Sequence, residues 1–462
     1  MKPTSEGYDP SSVASIIEYA QGLTGKCLAD VVEIPTDEVN VQNRGNLGSL
    51  VERYFFEFLA NNSDGPDFLE AGVELKVTGV KRNSHGDFQM KERLVLSMID
   101  YSQIRNETWE SSKFLRKCKN LLILFYLYDS NLPAQRLRFV LDPVLFQINE
   151  SSDSRAIPTS DPRIIAIHPD DLAQIRRDWE FIREKVSENR AHELSEGDTF
   201  YLAACRKGSG GPKEVLRAQE DGGVPAKSRA FSFKQGFLNR LLANQFSQAA
   251  SLGVGEMTTF ESATKMKFSP YLGRTAEDIS AELSFFKSGT NHKAFHRELA
   301  LRILSGSSEK PRELVSAGIE LKTVRLNGKK FPREHMSFPA FKYVDIVSEE
   351  WEESDFCQKL ESKFLFVVFD INHLGQEILF KVGYWNMPYM DRMEAKKVWE
   401  RTKSLVQNGL DKFPTARDNN VSHVRPHARN SEDTYLTPTG ERWVKRCFWL
   451  NKQYVGSVIA AL

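Results

Sequence analysis

The sequence predicts an α/β protein in which a mixed sheet with flanking helices occurs twice along the chain. The run at 121–128 (LLILFYLY) is short and continuously apolar, which is typical of a strand covered on both faces. The segment at 67–80 (DFLEAGVELKVTGV) alternates in polarity before a charged loop, which also indicates a strand. Sequence patterns of the first half then recur in the second half. At 462 residues the chain is too long for one compact core and suits two or three domains.

The other elements of the first half follow from the same periodicities. Apolar residues at helical spacing predict a core-facing helix over 47–58, and the turn-forming residues NNSDGP (61–66) end it. The glycine-rich segment at 208–227 is predicted to be a mobile loop rather than a domain boundary, because the apolar segment after it must still pack. Two further helices and one further strand are predicted, at 11–30, 170–192 and 200–205.

An internal duplication is the most informative feature of the sequence. Its matching segments are AGVELKVTGV (71–80) with AGIELKTVRL (317–326), KERLVLSMIDY (91–101) with REHMSFPAFKY (333–343), TWESSKF (108–114) with EWEESDF (350–356), and RAFSFKQGF (229–237) with RCFWLNKQY (446–454). Chance could produce one such match, but hardly four in the same order. The period is far too long for a solenoid. We therefore predict two copies of one whole domain, over residues 1–248 and 249–462.

Charge and cysteine content restrict the class of protein. The 62 basic residues balance the 62 acidic ones, so a DNA-binding protein of this composition must gather its basic residues on one surface. The five cysteines are widely spaced without a CxxC pair, which favours reduced thiols in a cytosol over disulfides or a zinc cage. A polar N-terminus and the lack of a run of about 20 apolar residues predict a soluble intracellular protein that does not bind a membrane.

The candidate catalytic residues lie in the segment PDFLEAGVELK (66–76), which contains Asp67, Glu74 and Lys76. Alternate side chains of a strand share a face, so Glu74 and Lys76 point the same way. If Asp67 ends a neighbouring strand or turn, two carboxylates and an ammonium converge on one point. Mg²⁺ selects one or two carboxylates with room for water and a substrate phosphate. Glu52, on the preceding helix, is a candidate further ligand.

The same pattern has an ordinary structural explanation. An ExK pair on a strand is common, and such pairs are usually solvated surface partners that contribute little. Lys76 also alternates with Leu75 and Val77, as in any half-exposed strand. The flanking sequence favours the functional interpretation.

Four blocks of the first half resemble the MutH-like, GATC-recognising endonucleases: GNLGSLVE (45–52), PDFLEAGVELKVT (66–78), KERLVL (91–96) and TWESSKFLRK (108–117). The blocks are most similar to the two-domain type II restriction enzymes of that group. The similarity covers most of residues 40–245 and extends more weakly, through the repeat, over 255–462. It implies a PD-(D/E)xK fold, Mg²⁺-dependent hydrolysis of double-stranded DNA and a bacterial cytoplasmic location.

The resemblance also implies roles for particular residues. By motif match, Asp67, Glu74 and Lys76 take the metal and catalytic roles, Glu52 supplies a supporting carboxylate, and Lys117 is an additional active-site lysine. Side chains in the segments that match the family's DNA-reading strand and loop could donate to guanine or to phosphates, although any of them could equally be an ordinary solvated cation. These candidate DNA-binding residues are Arg206, Lys207, Arg229 and Lys234 in the first copy, and Arg425, His427, Arg429 and Lys452 in the second.

The second copy is predicted to bind DNA without cutting it. Its residues Glu298, Glu313, Glu320 and Lys322 fall on the positions of Glu52, Asp67, Glu74 and Lys76. The longer Glu313, preceded by an arginine, disturbs the geometry that Mg²⁺ demands. Two cutting copies, one for each strand, stay open as an alternative. A second DNA-binding domain would raise the effective DNA concentration and could act as an effector site.

The prediction is thus a type II restriction endonuclease that cuts at 5′-GATC-3′. The alternatives are a MutH-like repair nickase and a non-catalytic DNA-binding protein. Double-stranded DNA is the expected partner. The resemblance leaves open a dimer formed on DNA, and it implies a cognate DNA methyltransferase that is not a physical partner.

Overall fold

The computed structural model describes residues 7–35, 46–58, 65–148, 161–207, 216–242, 252–285 and 294–462. Gly45, residues 208–215 of the predicted loop and the predicted boundary between 248 and 249 lie outside these ranges. The described chain is an α/β protein with mixed sheets and flanking helices, so the predicted fold class is confirmed.

The described part of the first copy contains one mixed sheet, one three-stranded antiparallel sheet and one two-stranded antiparallel sheet. Its helices are α1 (Val13–Gln21), α2 (Leu47–Leu50), α3 (Lys113–Cys118), α4 (Pro169–Ser187) and α5 (Gln235–Leu242). Its strands are β1 (Glu74–Arg82), β2 (Phe88–Met90), β3 (Leu94–Met98), β4 (Asn120–Leu127), β5 (Val144–Gln147), β6 (Ile164–Ala166), β7 (Leu202–Arg206), β8 (Leu216–Arg217), β9 (Ala226–Lys227) and β10 (Arg229–Phe233). The five-stranded mixed sheet has the order β2-β1-β4-β5-β6, and the three-stranded sheet has the order β3-β10-β7.

Strand β4 lies inside the five-stranded sheet, parallel to β1 and antiparallel to β5. Leu121, Ile123 and Phe125 face one apolar core, and the alternate residues Leu122 and Leu124 face another. This two-sided burial explains the continuously apolar sequence and confirms the predicted covered strand. The core continues past the first copy, because it also includes Phe260, Phe268 and Leu379.

Two predicted elements are shorter than the sequence pattern indicated. The helix expected over 47–58 is α2 followed by a π-helical turn, Val51–Phe55, which contains Glu52. The strand expected over 67–80 begins only at Glu74, because the residues before it form a tight turn closed by pairing between Phe68 and Val73.

The second copy repeats this arrangement. Its helices are α6 (Phe260–Phe268), α7 (Ala276–Glu282), α8 (Phe295–Ser305), α9 (Arg312–Ser316), α10 (Tyr343–Ile346), α11 (Asp355–Leu360), α12 (Tyr389–Gln407) and α13 (Lys452–Ala461). Its strands are β11 (Glu320–Arg325), β12 (Met336–Phe341), β13 (Lys363–Ile371), β14 (Glu377–Asn386), β15 (Ser422–Pro426), β16 (Thr434–Leu436), β17 (Arg442–Val444) and β18 (Arg446–Leu450). The two main sheets have the orders β11-β13-β14 and β12-β18-β15.

Equivalent side-chain contacts in the two copies support the predicted duplication. The rings of Trp109 and Trp179 meet edge to face at 5.9 Å, and those of Trp351 and Trp399 do so at 5.7 Å. Strands β1 and β11 each begin at the glutamate of an ExK pair and run parallel to the buried strand that follows the tryptophan. The turns before them hold Gly72 and Gly318 at the same positive φ of 65°, which favours glycine. The four matching segments therefore represent two copies of one fold.

Within the described residues, no helix combines the length and apolar character that a bilayer crossing requires. All five cysteines lie in the described ranges, where they are buried and form no disulfide.

Charged side chains join the two copies. Arg206, at the end of β7, donates to Glu361 Oε2 at 2.8 Å, and Lys227 lies 2.7 Å from Glu352 Oε1. Lys363 Nζ donates to the carbonyl oxygen of Asp198 at 3.1 Å. The second copy therefore covers the end of β7 and the neighbouring β9.

Replacing Glu361 with alanine should destabilise the chain, because Arg206 would keep a largely buried charge without its carboxylate. We expect the free energy of unfolding to fall by about 2 kcal/mol, which reflects a pair that is only partly desolvated. The double change Arg206→Met with Glu361→Leu should recover most of this loss, since it leaves no unpaired charge. Denaturant unfolding of the three full-length proteins measures this difference, and equal losses in the single and double variants would contradict it.

Candidate active site

Strand β1 places Glu74 and Lys76 on one face, as predicted. Lys76 Nζ lies 2.5 Å from Glu74 Oε1, and the side chains are 18% and 2% exposed. The pair is therefore buried, unlike the solvated surface pair that was the alternative interpretation. Burial raises the pKa of Glu74 although Lys76 opposes the shift. Burial alone would lower the pKa of Lys76, but the Glu74 carboxylate outweighs it and raises that pKa.

The turn before β1 brings Asp67 to the same place. Asp67 Oδ2 accepts a hydrogen bond from the backbone N–H of Leu75 at 2.9 Å. Its carboxylate is close enough to Glu52 and Glu74 to raise the pKa of both. The predicted convergence of Asp67 with the ExK pair is therefore present.

Lys117 reaches this site from α3. Ser112 caps the helix by accepting from the backbone N–H of Leu115 at 3.1 Å, which fixes where α3 begins. Lys117 Nζ then lies 3.5 Å from Glu74 Oε1 and 3.5 Å from the carbonyl oxygen of Gly65. Two lysines thus face the same glutamate oxygen.

Glu52 approaches the site from the π-helical turn. Burial, followed by the charge of Asp67, raises the pKa of Glu52 to about 7, while Lys76 opposes the shift. π-Helical turns are frequent at functional sites, where they change the direction of one side chain. Sequence periodicity alone could place Glu52 on a helix but could not show this turn.

The donor set fits a divalent cation such as Mg²⁺. Glu74 Oε2 is buried without a hydrogen-bond partner, whereas Oε1 of the same carboxylate faces both lysines. A buried carboxylate oxygen is costly without a partner, and a cation would satisfy it. No group of three or more histidine, cysteine or acidic side chains with metal-binding geometry occurs in the described residues. Mg²⁺ commonly uses one or two carboxylates and completes its shell with water and phosphate.

Three of the four predicted DNA-binding residues of the first copy face the protein interior. The guanidinium of Arg229, which is 3% exposed, donates to the carbonyl oxygens of Ala204 and Leu194. Lys234 Nζ donates to Thr199 O at 2.6 Å and to Ala317 O, and Arg206 pairs with Glu361. These positions remove Arg206, Arg229 and Lys234 from the set of accessible DNA contacts. Sequence could not show this, because the partners lie far away along the chain and two of them, Ala317 and Glu361, belong to the other copy.

The remaining predicted DNA-binding residues lie at the surface. Lys207 is exposed, and so are Arg425, His427 and Arg429 at the end of β15. The guanidinium of Arg425 and the ring of His427 both lie near Trp449, at 5.8 and 5.6 Å. Lys452, at the start of α13, is half-buried. Most of the candidate DNA-binding side chains are therefore exposed in the second copy, whereas most of those in the first copy are covered.

The second copy retains an ExK pair with different surroundings. Lys359 occupies the position in α11 that Lys117 occupies in α3, and its Nζ lies 2.7 Å from Glu320 Oε1. Glu313, the counterpart of Asp67, is buried, and its Oε2 accepts from the backbone N–H of Leu252 at 2.9 Å. Arg297 and Lys310 also lie close enough to act on this site, but no motif identifies either residue.

A family model described as MutH, DNA mismatch repair enzyme, matches residues 56–159 and 301–391, one segment in each copy. The MutH proteins of Shewanella woodyi and Pectobacterium atrosepticum are 24% and 23% identical to this chain; they align with 52% and 54% of it and over 94% and 99% of their own lengths. The fold, the duplicated segments and the carboxylate–lysine site agree with these matches. Both copies of the chain are therefore similar to the MutH-like nucleases.

A longer relative aligns with most of the chain. The type II restriction enzyme Sau3AI of Staphylococcus aureus is 29% identical, over 92% of this chain and 94% of its own length. These comparisons indicate a site-specific deoxyribonuclease of the restriction endonuclease or MutH-like type.

Proposed function

We propose that this chain is a type II restriction endonuclease that hydrolyses double-stranded DNA at 5′-GATC-3′ with Mg²⁺, using the site of the first copy. The observation that supports it most directly is the buried Glu74, with one oxygen facing two lysines and the other without a partner. The target sequence follows from the resemblance of the sequence blocks to the GATC-recognising group. The restriction enzyme relative along most of the chain favours this role over repair.

The side chains of the first copy have separable roles in this proposal. Asp67 and Glu74 would hold Mg²⁺, which supplies polarisation of the scissile phosphate and acidification of a bound water. Lys76, positioned by Glu74, would orient or deprotonate the attacking water or neutralise charge in the transition state. Lys117 adds a second positive charge beside the phosphate. Glu52, with a pKa near neutrality, would act as a further ligand, directly or through water.

The second copy would bind DNA without cutting it. Glu313 lies in α9 and bonds to the Leu252 backbone N–H, so it would not supply the carboxylate that Asp67 supplies beside the ExK pair of the first copy. The exposed Arg425, His427 and Arg429 would contact the DNA.

Association of two chains on DNA and a cognate methyltransferase that acts separately are parts of the same proposal. A bacterial cytoplasmic location is also proposed, since the relatives are bacterial enzymes that act on DNA.

Cleavage of a plasmid with known GATC positions tests this function. We expect linear fragments in Mg²⁺ and none in EDTA, with every sequenced end lying at a GATC site. Ends at other sequences would refute the proposed target. Nicked circles alone would favour a repair nickase, and a gel shift without cleavage would favour a non-catalytic DNA-binding protein.

A further inference from the structure

The ExK site of the second copy has the scaffold of the first. The residue pairs Glu74–Leu121 and Glu320–Phe364 hold equivalent places between parallel strands. Lys117 and Lys359 each come from the short helix before the buried strand and approach the glutamate of the ExK pair. A phosphate that fits against the first site would therefore meet a similarly shaped second site.

Two of the carboxylates that would balance the lysines have different partners in the second copy. Residues 312–316 form helix α9, whereas the matching segment that carries Asp67 is a turn. Glu313 therefore sits in the first turn of a helix and bonds to the Leu252 backbone. Glu298, the counterpart of Glu52, lies 3.8 Å from Arg302. Glu320 pairs with Lys359, whose Nζ lies 2.7 Å from its Oε1.

Two further cations, Lys310 and Arg297, act on the second site. Lys310, which precedes α9, donates to the carbonyl oxygen of Ile319 at 3.2 Å, and Arg297 lies on α8. Together with Lys322 and Lys359 they set four positive charges against the charge of Glu320. The first site has the opposite balance, with the carboxylates of Glu52, Asp67 and Glu74 against two lysines.

Partial burial of Lys310 and Lys322 makes this excess of positive charge unfavourable without an anion. Burial lowers the pKa of Lys310 and Lys322, although Glu320 opposes the shift. The positive charges of Arg297 and Lys359 lower the pKa of both lysines further. Cations that are only partly hydrated and that repel one another gain from an anion placed among them. A divalent metal ion would instead add to the repulsion.

We infer that Lys310, Lys322, Lys359 and Arg297 form a phosphate-binding site in the second copy that holds a DNA backbone phosphate without a metal ion. DNA is the favoured source because the exposed Arg425, His427 and Arg429 belong to the same copy. The choice of DNA rests on the proposed function. The consequence is that the two copies respond differently to EDTA: the first needs a cation to accept a phosphate, and the second does not.

DNA binding in EDTA tests this site in the full-length Asp67→Asn chain, whose first site should not cleave. Fluorescence anisotropy of a labelled GATC duplex gives the dissociation constant over a range of NaCl concentrations. Adding Lys322→Gln and Lys359→Gln should weaken binding about tenfold. It should also reduce the slope of log affinity against log salt by about 1, since one phosphate contact is lost.

Matched variants separate this effect from general loss of charge or fold. Lys267→Gln with Lys397→Gln removes two exposed lysines elsewhere and should change the slope little. Lys322→Arg with Lys359→Arg keeps both charges and should restore most of the binding. Equal slopes for the glutamine pair and its control would overturn the inference, and so would an effect of the glutamine pair that appears only with Mg²⁺ or Ca²⁺.

Inorganic phosphate distinguishes the source of the anion. At constant ionic strength, millimolar sodium phosphate should compete weakly with DNA in the Asp67→Asn chain and less in the glutamine pair. Competition by phosphate without any effect of the glutamine pair on DNA binding would identify a free-phosphate site and overturn the DNA assignment. Failure of the wild type to cleave in Mg²⁺ would refute the proposed function alone, because binding in EDTA is measured separately.

Discussion

Asp67→Asn should reduce the rate of DNA cleavage in Mg²⁺ by about a thousandfold, which corresponds to roughly 4 kcal/mol of lost transition-state stabilisation. Asparagine has nearly the same shape, and its side-chain oxygen can still accept from the Leu75 backbone N–H, so the turn before β1 should persist. What it lacks is the negative charge that would hold a divalent cation beside Glu74. Single-turnover cleavage of a GATC duplex measures the loss.

Glu70→Gln is the matched control, because Glu70 is an exposed carboxylate of the same turn. It should cut within about twofold of the wild type, since isolated surface charges contribute little. The Asp67→Asn chain should still bind the duplex in EDTA. Full cleavage by this variant would remove Asp67 from the metal site, and lost binding together with lost cleavage would indicate a folding defect instead.

Asp178→Ala should cause the largest loss of stability, about 3 to 5 kcal/mol. The Asp178 carboxylate on α4 is buried and accepts from the backbone N–H groups of Phe200, Tyr201 and Leu202, at 3.0, 2.6 and 2.9 Å. Gln174 Nε2 donates to it at 2.9 Å. Alanine would leave these buried donors without an acceptor and would detach α4 from the start of β7. Denaturant unfolding of the full-length chain measures the change.

Two further variants control this experiment. Glu184→Ala removes an exposed carboxylate from the same helix and should change stability by less than about 0.5 kcal/mol. Asp178→Asn keeps one accepting oxygen and should lose less stability than alanine. Similar stabilities of the alanine variant and the wild type would show that water replaces the carboxylate and that this contact does not anchor the helix.

Local sequence was sufficient for the part of the candidate site formed by Asp67, Glu74 and Lys76. Glu74 and Lys76 are two residues apart on a strand, so their shared face follows from the strand period alone. The position of Asp67 depends on a turn of a few residues, closed by Gly72 and by pairing between Phe68 and Val73. The fold class was also predictable, because burial leaves apolar periodicities in the sequence. The duplication was predictable because four segments recur in the same order.

The tertiary structure decided which of the predicted DNA-binding cations can reach DNA. Arg206, Arg229 and Lys234 follow the same sequence pattern as exposed cations, yet the first pairs with Glu361 and the other two bond to buried carbonyl oxygens. These partners lie far away in the sequence, so no local pattern reports them. The balance of charge at the second ExK site likewise depends on the direction in which Glu313 points. Periodicity determines which residues share a face, whereas accessibility and charge depend on contacts that only the folded chain brings together.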